Sequence, residues 1–154
     1  TPFLLPDCWR PTPAQVGQGR SRPHPIHRFG RVVWLEKTQR NPFANLITVG
    51  RAPNNDIRYP LESLSKLHAT FCRSGSKSVA GSAARPRWLV QDHSSKNGTF
   101  VNDEPLPPGK VQELKDGDQV RFCRELKARF FTAPALYDFV NLVAKLAPRE
   151  DAAP

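Results

Sequence analysis

Residues 92–102 run Asp92-His93-Ser94-Ser95-Lys96-Asn97-Gly98-Thr99-Phe100-Val101-Asn102, a cluster of turn-forming residues set against a β-branched and aromatic run. Asn97-Gly98 tolerates the positive φ of a tight turn, and Thr99-Phe100-Val101 has the composition of a strand. The same texture extends outward in both directions. From Phe29 onward, short segments rich in β-branched and aromatic residues are broken by Gly, Pro, Asn and Asp at nearly regular intervals, which is an all-β pattern. Candidate strands fall at 30–37, 45–51, 56–59, 68–73, 87–91, 99–102, 111–114, 119–123 and 128–132. So many short strands in one domain predict a two-sheet β-sandwich, because two facing sheets each give the other an apolar face to cover.

The flanks differ. Residues 1–28 carry prolines at 2, 6, 11, 13, 23 and 25 without a sustained period, and an irregular arm is expected there. Docking of Phe3, Leu4, Leu5 and Trp9 onto the domain is the alternative. At the other end, Leu136, Phe139, Val140, Val143 and Ala144 recur at helical spacing behind Thr132-Ala133-Pro134. One amphipathic helix is expected over 134–146, in a helix-and-tail segment 133–154, packed on the sandwich or, in the sharper alternative, offered to a partner. The domain proper is thus expected over 29–132, with a small-residue loop at 74–87. If consecutive strands run antiparallel, that loop lies at the opposite end from the connections 60–67 and 92–98.

Composition narrows the function classes. With 154 residues, 24% of them charged and 38% hydrophobic, the chain suits one soluble, well-cored domain. No apolar run is long enough to span a bilayer, and no charged n-region precedes an apolar segment as in a signal peptide. The net charge of +9 raises nucleic-acid binding as an alternative. However, the seventeen basic and ten acidic residues of 29–132 are dispersed, with no basic block and no aromatic stripe, so nucleic acid is disfavoured as a partner. Cys8, Cys72 and Cys123 have neither disulfide-framework nor metal-ligand spacing, so no metal or other cofactor is expected, and a reducing, cytoplasmic compartment fits. His24 and His27 fit no regular metal site. Asp92, His93 and Ser94-Ser95 supply the residue types of a hydrolase triad, but neighbours in one tight loop cannot easily point at each other in relay order. No nucleophile elbow, P-loop or zinc-protease motif is present, and an enzyme is not expected.

Three separated segments carry the functional signal: Gly50-Arg51, then Ser65-Lys66-Leu67-His68, then Ser95-Lys96-Asn97-Gly98-Thr99. Each has an ordinary explanation alone. Arg51 is a surface cation, Ser65 a turn cap, His68 a strand histidine and Asn97-Gly98 a hairpin signal. Together they supply a planar, permanently charged guanidinium, a compact hydroxyl donor and a side-chain amide, the groups that a phosphorylated, extended peptide needs.

In this order and within an all-β chain, the segments resemble the defining pattern of forkhead-associated (FHA) domains. The likeness continues through Arg51-Ala-Pro-Asn-Asn-Asp56-Ile57 and Leu114-Lys-Asp-Gly117-Asp118 and covers about residues 29–132. It implies a β-sandwich of the FHA/SMAD-like type that binds phosphothreonine-containing protein segments, with Ser/Thr kinases or their substrates as partners. It further implies that Arg51 and Ser65 contact the phosphate and that Lys66 sits in the phosphate-binding loop. Lys96 and Asn97 would contact the peptide and line the pocket for the threonine methyl. Gly50, His68 and Gly98 would support the loops, with His68 bracing them from behind. A phosphate-independent interaction scaffold on the same fold is the alternative function.

Overall fold

The computed structural model describes residues 2–6, 32–74, 87–124 and 126–146. The arm expected from residue 7 to 28, the loop at 75–86 and the tail at 147–154 lie outside these residues. Eleven strands and one helix follow in order: β1 (Phe3–Pro6), β2 (Val33–Trp34), β3 (Leu46–Gly50), β4 (Ile57–Arg58), β5 (Ala69–Ser74), β6 (Arg87–Asp92), β7 (Thr99–Val101), β8 (Glu104–Leu106), β9 (Val111–Leu114), β10 (Gln119–Arg121), β11 (Lys127–Phe131) and α1 (Ala133–Leu146). They form a six-stranded sheet, β2-β1-β11-β10-β7-β8, facing a five-stranded sheet, β4-β3-β5-β6-β9. This is the two-sheet sandwich expected from the strand pattern.

The core lies between the sheets. Leu4, Val49, Phe71, Val90, Val120 and Phe130 are all at or below 1% exposure, and they come from β1, β3, β5, β6, β10 and β11. Phe71 of one sheet meets Phe122, just beyond β10, edge to face at 6.1 Å, and Trp88 on β6 approaches Phe130 on β11 at 6.5 Å. Such aromatic pairs tie the layers together beyond their buried area. Cys123 is also buried.

At residues 3–6 the chain departs from the irregular arm expected over 1–28 and takes the alternative, with Phe3, Leu4 and Leu5 docked onto the domain. Phe3–Pro6 is a strand inserted between β2 and β11, with Leu4 opposite Phe130 and Phe3 opposite Phe131. Residues paired across antiparallel strands share a face, so Leu4 enters the core with Phe130 while Phe3 lies on the outer face with Phe131. That outer face is covered too: Phe139 of α1 stacks on Phe131 at 5.0 Å, and Trp34 meets Phe3 at 4.6 Å. Both faces of β1 are therefore apolar, and the strand lacks the alternation that marks a half-solvated one. The flanking prolines disguise it further.

The edge strand β8 also escapes the sequence pattern. Glu104-Pro105-Leu106 combines a charge and a proline, which suit an edge where a missing N–H costs little. Its turn was legible: Asn102 and Asp103, at φ 52° and 66°, form the two-residue connection that sets Val101 opposite Glu104.

The third correction concerns β4, which runs parallel to β3 rather than antiparallel. A parallel neighbour ordinarily needs a crossover of a dozen residues or more. Here Asp56 draws the chain straight back. Its carboxylate accepts from the Thr48 N–H at 2.8 Å, and the Asp56 N–H donates to the Thr48 hydroxyl at 3.0 Å. Thr38 donates to the same carboxylate through N–H and hydroxyl, each at 2.7 Å, with Lys37 at 3.2 Å and the Asn41 amide completing the set. Burial pushes this carboxyl up, but the hydrogen bonds from Thr48, Thr38 and Lys37 outweigh it and hold it below the ordinary value. The placement of the loops survives the correction, because β5 and β6 are antiparallel. Ala69 faces Asp92 at one end and Ser74 faces Arg87 at the other, so the connections into β5 and out of β6 share an end.

Leu4→Ala is expected to lower stability by about 2–4 kcal/mol, the ordinary cost of emptying a buried leucine site. Chemical denaturation would read it, and a change below about 0.5 kcal/mol would show that β1 is dispensable.

Candidate functional site

Two loops from the five-stranded sheet are fastened together by main-chain hydrogen bonds at the end defined by Ala69 and Asp92. Just after β3, the Arg51 N–H donates to the Ser65 carbonyl at 2.9 Å and the Ala52 N–H to the Lys66 carbonyl at 3.1 Å. Asn55 adds its side-chain amide, which donates to the Lys66 carbonyl at 2.7 Å. The contact is close enough to exclude a side chain at residue 50: a Cβ there would fall deep inside van der Waals range of the Lys66 carbonyl oxygen. Gly50 is thus required by proximity.

A third loop, between β6 and β7, closes on the other two. Asp92 shapes it, accepting from the Ser95 hydroxyl at 2.5 Å, the Ser95 N–H at 3.0 Å and the Thr99 hydroxyl at 2.7 Å. Desolvation raises the Asp92 carboxyl, and the Ser95 and Thr99 bonds together with nearby His68 more than reverse it, leaving it below the ordinary value. The turn then passes through Gly98 at φ 70°, a left-handed conformation that favours glycine.

His68 is the bolt between loops. It is fully buried. Its Nδ1 accepts from the Ser65 N–H at 3.2 Å, which leaves the proton on Nε2 to be donated to the Gly98 carbonyl at 3.3 Å. The ring also meets Phe122 edge-on at 5.9 Å. Burial pushes the imidazole pKa down; the bond to Gly98 and the charge of Asp92 oppose the shift without cancelling it. His93 points elsewhere, to the Thr70 hydroxyl at 3.0 Å, while Asp92 is engaged by Ser95 and Thr99. The triad imagined for 92–95 is therefore not assembled.

The structure brings Arg51, Ser65, Lys66, Lys96 and Asn97 to this one end. Arg51 is exposed and steadied by its Nε–H, which donates to the Leu64 carbonyl at 3.3 Å. The Ser65 hydroxyl oxygen accepts from the Lys96 N–H at 2.9 Å, so its proton remains available to donate. Asn97 spends Nδ2 on the Ser63 carbonyl at 2.6 Å, which holds its side chain across the loops and leaves Oδ1 as the group for an incoming N–H. Among the described residues, none of Arg51, Lys66 and Lys96 is ion-paired, whereas Lys37, Arg87 and Arg121 pair with Asp56, Glu113 and Asp103. Positive charge is thus left unneutralised where the loops meet. Asn55, Asp56 and Asp92 organise the site without facing it, and the sequence pattern did not single them out for that task. Asn55 and Asp56 stood within the stretch 51–57 and Asp92 at the head of 92–102, with nothing in either stretch to show that they would turn inward. A larger recess, of about 980 Å³, opens at the far end near Arg73, Arg87 and Lys115 and contains none of these groups.

The chain is thus a two-sheet sandwich whose cross-braced end loops carry Arg51, Lys66 and Lys96 outside any ion pair among the described residues. A model of the FHA domain family matches residues 47–123, half of the chain, and the chain belongs to that family. Among curated proteins it is 30% identical over 103 residues to mediator of DNA damage checkpoint protein 1 of Mus musculus, covering 66% of this chain and 5% of that protein. It is 27% identical over 99 residues to FHA domain-containing protein PS1 of Arabidopsis thaliana, covering 62% and 6%. The chain therefore corresponds to a small fraction of those relatives' lengths. Among solved structures, the MEK1 FHA domain in complex with a phosphothreonine peptide of HOP1 superposes with a TM-score of 0.53 at 22% identity, covering 68% of this chain and 90% of that one. A structure from work on phosphothreonine-dependent FHA domain interactions gives 0.54 at 21%, covering 86% and 97%. These likenesses establish the fold.

The lowered His68 pKa has a testable sign. The unfolded imidazole takes up its proton near the ordinary 6.5 and the folded one only below that, so unfolding is favoured by protonation. Stability contributed by neutral His68 is complete above pH 6.5 and declines as pH falls from 6.5 through the folded value. Denaturation of wild type and His68→Gln across this window should show a steeper pH dependence in the wild type; parallel curves would contradict the assignment.

Proposed function

We propose that the chain is a phosphothreonine-dependent protein-binding module that receives phosphorylated segments in Ser/Thr kinase signalling. The observation that carries this is the convergence of Arg51, the Ser65 hydroxyl, Lys66 and the Asn97 carbonyl oxygen on loops already bonded to one another, with no carboxylate paired to the cations among the described residues. A phosphothreonine brings roughly −1.5 to −2 charge and three acceptor oxygens. The Arg51 fork and the Ser65 proton donate to those oxygens, and Lys66 adds charge from the same loop. Asn97 accepts a main-chain N–H of the extended peptide through Oδ1, and it lines, with Lys96, the place of the threonine methyl. Because the loops are fixed in advance, little ordering entropy opposes binding.

The chemistry asked of these residues is recognition, with no bond made or broken. The partner is a phosphothreonine-containing protein, either a Ser/Thr kinase or one of its substrates, met in a reducing, cytoplasmic setting. Among the described residues no helix is long and apolar enough to cross a membrane.

Isothermal titration of matched peptides provides the test. A phosphothreonine peptide drawn from a library screen is expected to bind at least about tenfold more tightly than its unphosphorylated form, and Arg51→Ala to remove that difference. Equal affinity for the two forms, unaffected by Arg51→Ala, would instead identify a phosphate-independent scaffold.

A further inference from the structure

Arg58 has no part in the phosphothreonine grip, yet it stands beside it. On β4 it is in register with Gly50, and it is exposed. Its Nε–H makes a long bond to the Arg51 carbonyl at 3.4 Å, which turns the guanidinium along the Arg51 loop. Among the described residues its terminal nitrogens have no partner, and it belongs to none of the ion pairs. Arg58, Arg51 and Lys66 together line a recess of about 390 Å³ whose walls include Pro53, Pro60 and Glu62. No residue of the β6–β7 loop lines it, so it lies on a flank of the grip that Lys96 and Asn97 do not share.

The recess holds three cations and one carboxylate. Prolines restrict the main chain on both loops that form it, so it keeps its shape without a ligand. Bound phosphothreonine would answer the charge of Arg51 and Lys66. The bidentate face of Arg58 would remain, and it matches a carboxylate or a phosphate. Glu62 opposes anions on its own side and so directs them toward Arg58. We infer, resting on the function proposed above, that this recess takes a second anionic side chain of the same peptide, placed a few residues from the phosphothreonine. The site would thus select partners that are acidic, or phosphorylated again, next to the primary phosphate.

The test uses the full chain and phosphothreonine peptides carrying Gln, Glu or phosphoserine singly at each flanking position. At one position or more, the acidic peptides should bind about three- to tenfold more tightly than the Gln peptide, the range for a charge-assisted contact at an exposed site. Arg58→Gln should abolish this preference while leaving affinity for the neutral-flanked phosphothreonine peptide unchanged. Arg58→Lys, which keeps the charge, should retain most of it, and Glu62→Gln should enlarge it. A phosphoserine advantage over Glu would assign the recess to doubly phosphorylated partners; parity would assign it to acidic sequences. No acidic preference at any position, or one that survives Arg58→Gln, would overturn the inference while leaving phosphothreonine recognition intact. Failure of every phosphothreonine peptide to bind would overturn both.

Discussion

The buried imidazole of His68 is the constraint on which the binding end depends. One ring nitrogen takes the Ser65 N–H and the other gives its proton to the Gly98 carbonyl, so a single side chain joins two loops that are far apart in sequence. Neither loop has an extended ladder of its own. Without such a joint, Ser65 and Asn97 would sample many relative positions, and each binding event would have to remove that freedom. Lys96 N–H to Ser65 Oγ and Asn97 Nδ2 to the Ser63 carbonyl extend the same joint outward to the surface. Rigidity therefore passes from a buried aromatic contact with Phe122 through the imidazole to the groups that face solvent.

A second constraint is how the acidic side chains are used. Asp56 and Asp92 both belong to the chain segments that shape the binding end. Both are buried and turned inward. Asp56 is held mainly by hydroxyls and N–H groups of Thr48 and Thr38, and Asp92 by those of Ser95 and Thr99. Hydrogen bonds of this kind let a buried carboxylate stay charged; Asp56 has Lys37 at 3.2 Å as one further partner, and Asp92 belongs to none of the ion pairs among the described residues. Each also shapes a loop: Asp56 turns the chain back for the parallel β4, and Asp92 closes the turn before Asn97. Meanwhile Arg51, Lys66 and Lys96 belong to none of the ion pairs among the described residues. The overall charge of +9 matters less than this separation of sign by depth.

Legibility varied with how local the cause was. The strands from β3 to β11 were marked by β-branched and aromatic runs between turn residues, with β8 the exception because its proline and charge are edge-strand features. β1 was hidden for a different reason. Phe3, Leu4 and Leu5 are consecutive buried residues, and no alternation shows when α1 and Trp34 cover the second face. The helix itself was legible from its spacing, but its position depends on Phe139 finding Phe131. The bracing of Asn97 was likewise invisible, since it depends on where the Ser63 carbonyl happens to lie.

By itself the sequence determined the all-β class, the turn positions and the C-terminal helix, and it supplied Arg51, Ser65 and Asn97 as the groups proposed to meet a phosphate. Those follow from local propensity and from the chemistry of Arg51, Ser65 and Asn97, which does not depend on distant residues. Only the tertiary structure decided that the first strand completes the sheet, that β4 runs parallel to β3, and that Gly50 has no room for a side chain. It alone set Arg58 at the rim of the same end. Each of these rests on contacts between segments widely separated along the chain, and such contacts leave no periodic or compositional trace in the segments that make them.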